Sequence, residues 1–154
     1  MTPDADGGVI ETSVLSTAEC LELLERHRFG RLAAVLGEGA PLIRPVNYAF
    51  DLHSRSIAIR VVAGSKLLAL LDSPRAAFEI DGVDEAARTG WSVIVVGPCE
   101  AVTVPSIVDR LERLALQSWA AGAQATWNMI HVGSVSGLRV HRGAAQAAAV
   151  SRSP

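Results

Sequence analysis

The amino-acid sequence predicts a mainly β protein, a single antiparallel β-barrel of about six strands with peripheral helices at its corners. Three observations predict it. Runs with strand character recur at 31–36, 41–50, 56–62, 75–81, 90–102 and 126–140, several of them alternating residue types with the period-two pattern of a two-faced strand. Glycine, proline and aspartate punctuate the junctions, which read as short antiparallel links. The 154 residues, 49% of them hydrophobic, suffice for one core and show no internal repeat. Short strands with Gly and Pro at their corners favour a closed barrel over an open parallel sheet.

Taken in order, residues 1–14 are expected to form a flexible N-terminal arm, 15–142 the domain, and 143–154 a flexible Ala- and Ser-rich tail. Ser16 and Glu19 make a capping box, with Leu15 and Cys20 placed as a hydrophobic staple, so a helix is predicted to about His27. His27, near that helix's C-terminus, is read as structural. Arg31–Leu36 and Pro41–Phe50, joined by Gly37-Glu38-Gly39-Ala40, form a predicted hairpin. In its second strand Leu42, Arg44, Val46, Tyr48 and Phe50 share one face, and Ile43, Pro45, Asn47 and Ala49 the other. Pro45 cannot donate to a ladder, which implies an edge, a bulge or a backbone turned to a ligand. His53 reads as a solvated turn residue.

Ser56–Val62 is a two-faced strand, with Arg60 opposite the row of Ile57, Ile59 and Val61. Ala63-Gly64 breaks it, Ser65 caps a short helix Lys66–Leu71, and Asp72-Ser73-Pro74 stops that helix. A strand Arg75–Asp81 and a polar, flexible connection 82–90 follow. Gly90–Gly97 reads as a strand buried on both sides, continued past a bulge at 98–102. Pro105 opens a helix with Ile107, Val108, Leu111, Leu114, Ala115 and Trp119 on its apolar stripe, closed by Ala121-Gly122. Thr126–Val132 and Val135–Val140 read as one broken strand carrying Trp127, His131 and Arg139.

Composition excludes several classes. A net charge of −2 with 19% charged residues is neither a disordered chain nor the electrostatic footprint of a nucleic-acid binder. Cys20 and Cys99 lack Cys-x-x-Cys or Cys/His spacing, so no metal site is expected. No basic n-region opens the chain and no run approaches the ~18 apolar residues of a membrane span, so a soluble cytoplasmic protein without membrane contact is expected. No Ser/His/Asp set or paired-carboxylate site is legible in the spacing.

The corner at Arg60–Leu71 carries the chemistry. Lys66 is the only lysine, against thirteen arginines. Free helix N–H groups, the Ser65 hydroxyl and the Lys66 ammonium meet there, with Arg60 as a second cation, an arrangement that suits a phosphate. The plain alternative is an ordinary Ser cap and a solvated Lys, and spacing alone does not decide between them.

With these residues in place, the chain resembles the pyridoxamine 5′-phosphate oxidase-like, FMN-binding split-barrel proteins, particularly small actinobacterial members. The resemblance covers about Ser16–Arg139 and rests on the order of FGRLAAV, RPVNYAF, RVVAGSKLLALL and GWSVIVVG. It implies a homodimer of six-stranded split barrels with two flavin sites at the subunit interface. Arg44, Pro45, Val46 and Asn47 would then lie along the isoalloxazine ring, and Arg60, Val61, Ser65 and Lys66 would surround the phosphate. Trp91 and Ser92 would approach from the adjoining strand, and Trp127, with Arg139, would close the site from the final strand. For Trp91 and Trp127 the alternative is burial in the core or interface, and for Tyr48 simple packing.

The chain lacks the arginine-rich C-terminal substrate segment of true pyridoxamine phosphate oxidases, which argues against vitamin B6 oxidation. The resemblance implies a flavin-dependent oxidoreductase acting on an unidentified small molecule, with the chemistry supplied by FMN. A deazaflavin coenzyme, bound in the same groove by sister groups, is the alternative cofactor, and a non-enzymatic flavin-binding dimer the alternative function.

Overall fold

The computed structural model describes residues 10–62, 64–114 and 125–142, and of Lys66 the backbone alone. Nine strands and three helices follow one another in these residues: β1 (Ile10–Val14), α1 (Thr17–Arg26), β2 (Phe29–Val35), β3 (Pro41–Asn47), β4 (Ala49–Asp51), β5 (Ser56–Val62), α2 (Lys66–Leu71), β6 (Arg75–Asp84), β7 (Thr89–Ala101), α3 (Pro105–Glu112), β8 (Ala125–His131) and β9 (Ser134–Arg142). Every strand pair is antiparallel. The path runs β3-β2-β6-β7-β8-β5-β4, and β9 joins β7 to β1. The mainly β, antiparallel barrel expected from the sequence is the fold that forms. No helix among the described residues is long and apolar enough to cross a membrane.

Nine strands replace the expected six for three physical reasons. Part of the presumed arm, Ile10–Val14, pairs residue for residue with Arg142–Leu138 and so is strand. The run 41–50 breaks at Tyr48, which is fully buried, donates its hydroxyl to Leu24 O at 2.8 Å and meets Phe78 edge-on at 4.7 Å. The presumed broken strand 126–140 is two strands in different parts of the wall, because β8 pairs with β5 and the end of β7 whereas β9 pairs with the start of β7. Three further readings are corrected. Gly82–Asp84 extend β6, which shortens the flexible connection to a turn at 85–88. β7 is not buried on both sides: Val93, Val95 and Gly97 are buried while Ile94 is exposed, so its outer face looks outward. The second long helix ends at Glu112, with Arg113 as its C-cap and Leu114 in a turn, short of the expected run; its expected positions 115–122 lie outside the described residues.

The capping box at α1 forms as predicted, with Ser16 N–H donating to Glu19 at 2.9 Å and Glu19 N–H returning to Ser16 Oγ at 3.3 Å. His27 is its C-cap, hydrogen-bonded through Nδ1 to Leu23 O at 2.8 Å. The barrel core gathers Leu32, Val46, Tyr48, Phe50, Ile57, Ile59, Val61, Phe78, Val93, Val95 and Ile130. A second cluster of Ala58, Val102, Leu111, Trp127 and Met129 lies under α3. These two clusters take opposite faces of β5 and β8, as period-two alternation requires. α3 is pinned to the wall by Arg110, whose Nε and Nη2 donate to the buried Asp51 carboxylate at 3.1 and 2.8 Å.

Candidate functional site at the seam of the barrel

β3 and β4 are consecutive, yet they pair with different neighbours. β4 lies on β5 through Ala49↔Ala58, Phe50↔Ile57 and Asp51↔Ser56, while β3 lies on β2 from Phe29↔Asn47 to Val35↔Pro41. If the β4–β5 register continued, Asn47 would face Arg60 and Pro45 would face Val62; instead the two strands part. Their facing edges form a seam in the wall.

Backbone direction at that seam follows from one bond. Tyr48 N–H donates to Arg28 O at 2.9 Å, and the same register makes Val46, Arg44 and Leu42 the residues bonded to β2. The backbone groups of Ile43, Pro45 and Asn47 therefore turn toward the seam. Proline is tolerated at 45 because its missing N–H would have pointed away from β2, which resolves the anomaly seen in the sequence.

The same alternation sorts the predicted side chains. Pro45 and Asn47 lie on the outer face, as do Arg60 and its cross-strand partner Trp127. The Val46 and Val61 side chains are buried in the core, and the Val46 backbone is bonded to β2, so neither side chain lies at the seam. Arg44 lies on the inner-face row and donates to Ile43 O at 2.9 Å. Ser65 caps α2, accepting from Leu68 N–H at 3.3 Å, and Gly64 before it has a left-handed φ of 75°. The expected Lys66 ammonium lies outside the described atoms.

Arg60 is the informative cation. Its Nη2 stands 3.7 Å from Glu112 Oε1, beyond hydrogen-bond reach, and its buried Nε has no hydrogen-bond partner among the described residues. Glu112 Oε1 instead accepts from Trp127 Nε1–H at 2.8 Å. The side-on fork of the Arg60 guanidinium, the edge that binds oxyanions in a bidentate manner, is thus unfilled. Trp127 is buried beneath α3, and Glu112 was not legible as a site residue because nothing in the sequence says that α3 folds back over β5 and β8.

Trp91 and Ser92 do not act together in one chain. They are successive residues of β7 and point to opposite faces. Ser92 is on the outer face, opposite Asp81 and Leu138. Trp91 is on the inner face, its ring 4.8 Å from that of His27 and opposite Arg139, in a cleft of ≈ 420 Å³. Gly82 makes room for the indole, since a Cβ there would come within 2.6 Å of Trp91 Nε1. β2 and β6 separate β7 from β3. Within one protomer Pro45 and Asn47 on β3 and Arg60 and Trp127 on β5 and β8 project from the outer side of the wall, whereas Trp91 projects inward from β7.

A second polar chain was not foreseen from spacing. Ser56 Oγ is 2.8 Å from His131 Nδ1, and His131 Nε2 is 2.7 Å from Glu100 Oε2. Ser56 is fully buried, so this set carries no accessible nucleophile; it ties β5, β7 and β8 together.

An antiparallel barrel opened along a seam between β3 and β5, with a cation and strand-edge groups turned away from their own sheet at the opening, is a split barrel. Residues 16–141 match the family model described as pyridoxamine 5′-phosphate oxidase, and the chain belongs to that family. A relative in Mycobacterium tuberculosis, the uncharacterized protein Rv0080, is 32% identical over 143 residues, 90% of each chain. Among solved structures, the FAD binding protein of Mycobacterium smegmatis is similar with a TM-score of 0.72 and 27% identity, covering 82% of this chain and 98% of that one. An FAD-binding protein of Mesorhizobium loti has a TM-score of 0.67 and 27% identity over 83% of this chain and 97% of that one.

Proposed function

We propose that this protein binds a flavin nucleotide at the seam, with FMN as its cofactor, and serves as an oxidoreductase for a small molecule. The carrying observation is the unfilled Arg60 fork on the lip of an open strand edge in a chain of this family. The residues fit the group: Arg60, the Ser65 hydroxyl and the Lys66 backbone corner offer donors to a phosphate. Asn47 and the outward backbone groups of Ile43 and Pro45 border the space for a planar ring, with Arg44 and Val46 behind them. When bound, the flavin supplies hydride or electron transfer; the chain holds and orients it and excludes water on the Trp127 side.

The partner is a second copy of the chain. Ladder register places Val14, Leu138, Ile94 and Ile43 on one outer sheet face, all exposed, around the ion cluster in which Arg31 Nη1 meets Glu79 at 3.0 Å and Asp81 at 2.6 Å. Closure of that face brings each seam against a partner wall, the position from which Ser92 could reach a flavin. The two FAD-binding neighbours favour one further reading, FAD in place of FMN.

The test is an absorption spectrum of the purified protein and equilibrium titration with FMN, FAD and a deazaflavin coenzyme, followed by reduction with a nicotinamide cofactor. Saturable FMN binding that Arg60→Ala weakens at least about tenfold is expected. Preference for FAD or deazaflavin reassigns the cofactor, and bound flavin that cannot be reduced makes this a non-enzymatic binding dimer. Binding of none of the three overturns the proposal.

A further inference from the structure

We infer that Glu112 is a displaceable stand-in for the anion at Arg60, a carboxylate on α3 that sets how tightly the seam binds a phosphate. The inference rests on the flavin reading for the identity of that phosphate. Three observations carry it. Glu112 Oε1 is anchored by Trp127 Nε1–H at 2.8 Å and not by the arginine. Its distance of 3.7 Å from Arg60 Nη2 leaves the cation neutralised through space without a hydrogen bond. The adjoining Nε is buried and has no hydrogen-bond partner among the described residues.

A buried donor without a partner is costly, and a carboxylate free to satisfy it would ordinarily close to a bidentate pair. Glu112 is held off from doing so by the indole, which takes the same oxygen. An incoming phosphate can turn two oxygens to the Nε–Nη2 edge, which Glu112, tethered to the indole through Oε1, does not do in this structure. It also repels Glu112, which stands within a few ångströms of the same guanidinium. Binding therefore requires the Glu112 side chain, 47% exposed and free to swing into solvent, to leave Trp127. Glu112 is a positioning residue that lowers anion affinity and keeps Arg60 oriented until the anion arrives.

The experiment titrates ¹⁵N-labelled protein with inorganic phosphate and with FMN, observing the indole Nε1–H resonance of Trp127, in the wild-type chain, Glu112→Gln and Glu112→Ala. Glu112→Gln keeps an acceptor for the indole and guards against misfolding of the alanine variant. In wild-type protein, phosphate shifts the Trp127 resonance as the hydrogen bond breaks; in Glu112→Ala that resonance starts shifted and moves little. Both variants bind FMN and phosphate about three- to tenfold more tightly than wild type. Unchanged affinity in both variants, or a Trp127 resonance unmoved at saturation, overturns the role of Glu112 while the flavin reading stands. Failure of phosphate and FMN to bind any of the three proteins overturns both.

Discussion

Replacing Arg110 by Met removes the charge that holds α3 on the barrel while keeping most of the side chain's apolar stem. Asp51 is 2% exposed and its carboxylate accepts from Arg110 Nε and Nη2 and from Ser54 Oγ at 2.6 Å. Burial alone pushes the Asp51 pKa up; hydrogen bonds from Ser54 and Arg110, the Arg110 charge and a backbone bond from His53 outweigh it, so the carboxyl lies below its ordinary value of 3.8. Loss of one partner leaves a buried, under-compensated charge, which costs about 3–5 kcal/mol. At about 2–4 °C per kcal/mol for a domain of this size, the melting temperature falls by roughly 10 °C.

The pH profile separates this cause from lost packing. In the wild-type protein the folded pKa of Asp51 is depressed, so its contribution is fully present above the unfolded value and is lost as pH falls through the folded one, below 3.8. In Arg110→Met both contributions of Arg110 are gone while burial and the Ser54 and His53 bonds remain, so the folded pKa moves up and the loss of stability on acidification shrinks. Urea denaturation between pH 4 and pH 8 reads both slopes, and Arg110→Met/Asp51→Asn should recover most of the loss. A loss below about 1 kcal/mol, the value of an exposed pair, or parallel profiles for the two proteins would refute the reasoning.

Three more outcomes are expected. Gly97→Ala places a Cβ 1.7 Å from His131 O, a backbone atom with no rotamer to yield, so the unfolding free energy from urea titration should fall by more than the ~1–3 kcal/mol of ordinary overpacking; a near-neutral variant would contradict the β7–β8 pairing described. Burial pushes the Cys99 thiol up to about 11, so iodoacetamide at pH 8 should leave it largely unmodified in the native protein and label it promptly in urea; rapid native labelling would place Cys99 in a different environment. Ile94→Glu sets a charge in the centre of the exposed sheet face and should weaken the proposed dimer to a monomer in sedimentation equilibrium with the fold intact, whereas an unchanged dimer would move the proposed interface elsewhere.

What was legible in the sequence was local. The capping box of Ser16 and Glu19, the two faces of Ser56–Val62 and the row Leu42 to Phe50 are set by nearest-neighbour periodicity, and all form as read. The illegible parts depend on distant residues. Nothing within Ile10–Val14 says that Arg142–Leu138 will pair with it, and nothing in Gly82–Asp84 says that Thr89–Trp91 will hold it extended. The candidate site divides the same way. Arg60 and Asn47 can be singled out because strand periodicity and motif order survive in sequence, but Glu112, and the opposition of Trp91 to Ser92, emerge only when helix and strand are placed in space.

Pro45 connects the two levels, because a proline one residue away would have a different meaning. At 45 the absent N–H belongs to the seam-facing set, so β3 keeps its bonds to β2 through Leu42, Arg44 and Val46. The same absence withdraws a donor that β5 would need in order to zip against β3, which helps to keep the wall open where the ligand is proposed to enter. Pro45→Ala should therefore leave stability within about 1 kcal/mol of wild type, since no ladder bond is gained or lost on the β2 side. Moving the proline by one residue, in Arg44→Pro/Pro45→Arg, deletes the bond to Leu32 and orphans its carbonyl, at a cost of about 2–3 kcal/mol. Equilibrium urea unfolding of the two variants decides the matter: equal stabilities would mean that the bonding parity of β3 is the reverse of that inferred from Tyr48, and that the seam does not present Ile43, Pro45 and Asn47.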